Sequence, residues 1–191
     1  MSSKGMGQYL ADFGILACNE NPWLPSLDML GFTWADAVAL IDRQEVFVSK
    51  AWRRRTVYLS PEVYFLLKEC REHRPMTTDA IALYDILLSA PMESADLKRL
   101  VPLQKRAFDK TLEFLMEECY VTALRNGTWK TSNWSSYVYG AAETWEALAH
   151  RPAPNADSWA ALTAILGRTM PEREVAKLLG VHRMTQSQER T

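Results

Sequence analysis

The stretch from Thr77 to Tyr139 constrains the fold most, because its hydrophobic period switches from helical to extended after a run of closely spaced breakers. Ile81, Tyr84, Leu87 and Leu88 fall at helical spacing, and Pro91 stops that first helix. Ser94 stands at the cap of a short second helix over residues 95–101, and Pro102 marks a tight turn. A third helix follows over residues 104–120, with Phe108, Leu112, Leu115, Met116 and Cys119 as its apolar stripe. Residues 121–125 and 128–131 then flank Asn126-Gly127, the dipeptide suited to the two positive-φ positions of a type I′ turn. Tyr137-Val138-Tyr139 adds an aromatic strand before a helix over residues 143–149. Helix, short helix, turn, long helix and β-ribbon is the order of a winged helix-turn-helix, whose third helix can enter a major groove.

The flanks read as helical extensions. Residues 8–16 suit a helix, and two prolines and two asparagines make residues 19–26 a loop. Thr33 with Asp36 forms a capping box for a helix to about Arg43, and Ser60-Pro61-Glu62 starts another that ends near His73. Residues 46–58 are expected to be extended. Asp157 caps a helix to about Gly167, and residues 172–179 give one more, ending at Gly180. Arg173 to Val181 reads as the first half of a second helix-turn-helix, left incomplete because its second helix would be the wholly polar Arg183 to Arg190, and the expected fold is mainly α with a small β-ribbon, an α+β class. The expected division is 1–75, 76–150 as the winged helix, and 151–191.

Composition removes several classes of function. An apolar share of 48% and a charged share of 24% fit a folded chain, and no apolar run is long enough to span a bilayer. The chain is expected in the cytoplasm, away from membranes. Cys18, Cys70 and Cys119 are too widely spaced for a zinc site, and Cys119 reads as core. There is no P-loop, G-x-G-x-x-G, H-E-x-x-H or G-x-S-x-G motif, so no cofactor is expected. A net charge of −1 denies the chain a global positive field, so contact with nucleic acid has to come from local patches. Lys50, Arg53, Arg54 and Arg55 surround Trp52, which either stacks on a base or anchors the strand. Lys105, Arg106 and Lys110 occupy the leading half of the third helix, whereas Glu113, Glu117 and Glu118 make its other half an acidic, solvated face. The ribbon adds Arg125 and Lys130. His73, His150 and His182 all stand near helix ends, where a cation suits the dipole.

Val57-Tyr58-Leu59-Ser60-Pro61-Glu62, then Lys105-Arg106-Ala107-Phe108-Asp109-Lys110-Thr111-Leu112 and Cys119-Tyr120-Val121-Thr122, carry a family resemblance. Together with Leu24-Pro25-Ser26-Leu27 and the later Trp134, Tyr137, Tyr139 and Trp145, the sequence resembles the AlkZ-type winged-helix DNA glycosylases and their AlkZ-related relatives over roughly residues 8 to 180. The resemblance implies a DNA partner and a role in DNA repair or transcription. That family's glycosylases position water with a glutamine-x-glutamine motif. Here only Gln186 and Gln188 match it, in a polar tail, so binding without glycosylase activity is the expectation. One alternative is a protein-interaction module using Trp23, Trp34 and Trp129; another is a divergent alkylpurine glycosylase using Gln44 or Glu45.

Overall fold

The structure, a computed structural model, describes residues 3–180 and is α+β, with small antiparallel sheets among many short helices. Helix α1 (Ser3–Phe13) gives way to strand β1 (Ile15–Ala17), so the expected helix over residues 8–16 is shorter at its end. Gly14 makes the break, with φ at +78° and no room for a side chain: a Cβ there would lie 2.4 Å from Val63 Cγ2. Helix α2 (Trp34–Asp42) begins with the Thr33–Asp36 capping box, both halves of which are formed. Strands β2 (Phe47–Ser49) and β3 (Val57–Leu59) are joined by the basic tract, and β3 pairs with both neighbours in the order β1-β3-β2. Helix α3 (Pro61–Cys70) is capped by Ser60 and ends before His73.

This first sheet is buried on both faces, and its period of two separates two cores. Ile15, Ala17, Phe47, Val57 and Leu59 pack with α3 and with the C-terminal helices, whereas Leu16, Val48 and Tyr58 pack with α1 and α2. The C-terminal helices are α8 (Ser158–Leu166), capped by Asp157, and α9 (Glu172–Leu179), closed by Gly180 at φ +74°. Leu162, Leu166, Val175 and Leu178 of these helices, with Met170 between them, share one core with Trp52, Val63 and Leu67, which ties α8 and α9 to the first sheet and α3. Arg183, Arg190, Gln186 and Gln188 lie outside the described residues.

Between these flanks run α4 (Thr78–Ser89), β4 (Met92–Glu93), α5 (Ser94–Leu100), α6 (Lys105–Glu117), β5 (Val121–Thr131), β6 (Trp134–Ala141) and α7 (Ala142–Leu148). β4 pairs with β6, so the second sheet has the order β4-β6-β5. Their own core is Ala80, Leu83, Leu87, Leu97, Phe108, Leu112, Leu115 and Val121. The buried face of α4 is therefore Ala80-Leu83-Leu87, and Ile81 and Leu88 of the expected stripe are each 46% exposed. Ser94 begins α5 without capping it; Glu93 stands before it, its carboxylate held elsewhere. Strand β5 is the junction of the molecule. Val121 faces the α4–α6 core, Ala123 the α1–α2 core and Leu124 the third. Thr122 Oγ1 both accepts from the Val48 N–H and donates to the Val48 carbonyl, at 2.9 Å each, locking the two sheets together.

The ribbon differs from the sequence expectation. Asn126-Gly127 is not a turn: β5 continues through it with a bulge, and the chain reverses at Ser132-Asn133. Contacts distant in sequence outweigh the local turn preference. The Asn126 N–H donates to Asp42 Oδ1 at 2.6 Å, and its side-chain oxygen accepts from the Ser135 hydroxyl. Gly127 serves close approach, since a Cβ there would lie 2.6 Å from Ser136 Oγ and 3.0 Å from Glu93 Cδ. Glu93 accepts from the Thr128 N–H and hydroxyl and from Ser136 Oγ, and these bonds hold its carboxyl below the usual range, the Ser136 bond foremost. The result is a longer hairpin whose tip carries Trp129 and Trp134, each about half exposed.

Candidate nucleic-acid interface

The leading end of α6 is uncovered. Gln104 precedes the helix without a side-chain cap bond, and Lys105, Arg106, Asp109 and Lys110 are all exposed. Helix-end N–H groups and two adjacent cations thus face outward in the same place. Lys50 reaches this surface from the end of β2, and an open cleft of about 490 Å³ is lined by Lys50, Lys105, Arg106, Asp109, Lys110 and Glu113. Four cations meet two carboxylates there, leaving an excess of two positive charges. Both carboxylates are engaged: Lys105 Nζ lies 2.6 Å from Asp109 and Lys50 Nζ 3.1 Å from Glu113. The Lys105–Asp109 pair is exposed and worth little, and the Lys50–Glu113 pair is half-buried.

The rest of the basic tract turns along the second half of α6. Trp52 takes the anchoring alternative: it is fully buried and donates its ring N–H to Glu174 Oε2, so base stacking is excluded. Arg53 forms a two-bond fork with Glu174, both contacts at 2.7 Å, and its guanidinium lies 3.6 Å from the centre of the Trp23 ring. That environment holds the Glu174 carboxyl down at about 2, mainly through the Arg53 bonds. Arg54 is 68% exposed and reaches Glu117 at 3.7 Å, and Arg55 is exposed as well. Arg53 and Arg54 both adopt left-handed backbone, φ 52° and 56°, a conformation that costs an L residue roughly 1–2 kcal/mol.

The acidic half of α6 is not a solvated face. Glu118 is fully buried, accepting from Arg74 Nε at 2.5 Å and from the Arg74 backbone N–H at 2.9 Å, with Arg71 at 3.5 Å. Glu117 meets Arg54 and Arg74. These carboxylates fasten the tract and the end of α3 to α6, and their charge is compensated inside the molecule. His73 also departs from expectation: it sits beyond α3, and burial lowers its pKa, favouring the neutral ring over a cation at a helix end.

On the hairpin, Arg125 and Lys130 are exposed. Two of the three tryptophans expected at the surface are packed inward, Trp23 under Arg53 and Trp34 stacked on Tyr137 with its ring N–H on Ser135. Trp134 is exposed in their stead. Between the hairpin tip and the first sheet opens a larger cleft of about 740 Å³, whose walls include Phe32, Thr33, Trp34, Asn133, Trp134 and Tyr137. Sequence reasoning missed it, because it exists only where the hairpin leans over α2. Gln44 donates its amide to three backbone carbonyls, among them Leu124 at 2.9 Å, and Glu45 pairs with Arg43. Among the described residues no group of His, Cys, Asp and Glu gathers to hold a metal ion, and no helix is long and apolar enough to cross a membrane.

Fold and surface together define an α+β protein with an open cationic helix end beside a long β-hairpin. A family model described as AlkZ related matches residues 38–181, and the chain belongs to the AlkZ-related family. Membership associates it with DNA repair or DNA binding. No curated protein and no solved structure matches the chain.

Proposed function

We propose that this chain binds DNA through a winged helix formed by residues 76–150, with α6 presented by its leading end and the β5–β6 hairpin as the wing. The observation that carries the reading is the uncovered start of α6, where Arg106 and Lys110 stand in cationic excess within the cleft that Lys50 and Lys105 complete. The order α4-β4-α5-α6-β5-β6 and the β4-β6-β5 pairing support the winged-helix assignment. Family membership supports the choice of DNA. The acidic residues that would oppose a phosphate backbone, Glu113 and Glu117, have cations against them.

Phosphate contacts by Lys105, Arg106, Lys110 and the wing's Lys130 give a slope of log affinity against log salt of about −3.6 for duplex DNA. Changing Arg106 and Lys110 together to Gln reduces that slope by about 1.8. A salt-insensitive association, or none, defeats the reading. The proposal assigns no glycosylase chemistry, in keeping with a Gln44 amide and a Glu45 carboxylate already engaged. An assay of base release from alkylated duplex checks this half: release above background contradicts it. The half-exposed Trp129 and Trp134 favour a second reading, in which the hairpin tip docks on a protein. A stoichiometric partner that is lost on Trp129→Ala would establish it.

A further inference from the structure

Alongside the second half of α6 lies another open cleft, of about 410 Å³, lined by Arg53, Arg54, Arg71, Glu117 and Lys177. Its charges are layered. Among the described residues six cations, Arg53, Arg54, Arg71, Arg74, Arg173 and Lys177, are paired with three carboxylates, Glu117, Glu118 and Glu174, which leaves an excess of three positive charges. The Glu118 and Glu174 side chains are fully buried and that of Glu117 is 14% exposed. Arg54 is 68% exposed, and Arg74 and Lys177 about a third. The carboxylates and Arg71 therefore form the floor, and Arg54, Arg74 and Lys177 the rim.

Two details are left over once the internal pairs are made. Arg71 is more than nine-tenths buried, yet its Nη1 has no hydrogen-bond partner and its Nη2 reaches Glu118 only at 3.5 Å. A buried guanidinium N–H without an acceptor is an unusual thing for a protein to keep. Arg54 occupies a left-handed backbone position where Gly or Asn would sit without strain, and its one ion pair is a loose contact at 3.7 Å. The backbone conformation alone does not call for an arginine there.

We propose that this cleft is a phosphate-binding site, in which Arg54 and Lys177 close from the rim on a phosphate group held above Arg71. Guanidinium forks match phosphate oxygens two at a time, and the buried carboxylates keep the forks in place without competing at the surface. The site does not depend on the leading end of α6.

The test is thermal unfolding of the full chain in sodium phosphate and in sodium chloride at matched ionic strength. The wild-type protein should gain melting temperature with phosphate beyond the chloride control, rising as a saturable binding curve. Arg54→Gly removes one guanidinium and relieves the left-handed backbone, so its melting temperature in chloride should hold or rise. Its phosphate affinity should fall about tenfold, the equivalent of one charge-assisted hydrogen bond. Equal stabilisation by chloride, or a phosphate response that survives Arg54→Gly, overturns the proposal. Duplex DNA then separates the sources of phosphate. A salt slope reduced by about 0.9 in Arg54→Gly assigns the site to a DNA backbone phosphate, and an unchanged slope with lost phosphate response assigns it to a free phosphate compound. If Arg106 and Lys110 changed to Gln lose no DNA affinity while the phosphate response is intact, the α6 reading fails and this one stands.

Discussion

Glu174 offers the most direct test of how the basic tract is held. It is fully buried, 121 residues from Arg53 in sequence, and accepts two bonds from that guanidinium, one from the Trp52 ring and one from Lys177. Its carboxyl is held at about 2 against an ordinary 4.5. At 1.36 kcal/mol per tenfold, that difference corresponds to roughly 3 kcal/mol of folding stability. The folded-state value lies below the unfolded one, so the contribution is complete above about pH 5 and is lost as pH falls through about 2. Near pH 3 less than half of it remains. Glu174→Gln keeps the shape and removes the charge. Urea unfolding followed by tryptophan fluorescence should show the variant about 2–3 kcal/mol less stable at pH 7, with the gap narrowing to well under half at about pH 3. Glu118 and Glu93, also held low, titrate in both proteins and cancel in the difference. A gap that stays constant from pH 7 to pH 3 refutes the reasoning.

Two further outcomes probe the packing. Phe108→Ala empties the centre of the α4–α6 core, where Phe108 is 2% exposed, and should cost about 3–5 kcal/mol in urea unfolding. Gly14 and Gly31 both have positive φ, but a Cβ on Gly14 meets Val63 at 2.4 Å and Ile165 at 2.7 Å whereas one on Gly31 meets nothing within 4 Å. Gly31→Ala should therefore cost about 1 kcal/mol and Gly14→Ala clearly more, and equal losses in melting experiments would contradict the steric account.

Local chemistry was legible in the sequence wherever it acts over a few residues. The Thr33–Asp36 box, the Ser60-Pro61 start, the Asp157 cap, the Gly180 stop and the stripe from Phe108 to Cys119 all stand where their residue types require. What escaped was decided by partners far along the chain. Asn126-Gly127 has the chemistry of a turn, yet Asp42 and Glu93 hold the strand straight through it. Ile15-Leu16 looks like the end of a helix until Gly14 releases the stretch to pair with β3. Arg53 reads as part of a basic patch, and Trp52 as either stacking on a base or anchoring the strand, because nothing nearby announces Glu174.

The same blindness affects charge, and here it bears on function. From the sequence, Glu113, Glu117 and Glu118 make the second half of α6 a surface that repels phosphates. In the structure those carboxylates are the points at which Lys50, Arg54, Arg71 and Arg74 are fastened. A carboxylate paired with a cation offsets one positive charge while fixing the cation's direction, so an acidic helix can support a positive face where the cations outnumber the carboxylates. That is how a chain of net charge −1 can present two cationic clefts, one lined by Lys50 and the leading half of α6 and the other by Arg53, Arg54 and Glu117. Net charge counts side chains, whereas a ligand meets only those the fold leaves at the surface.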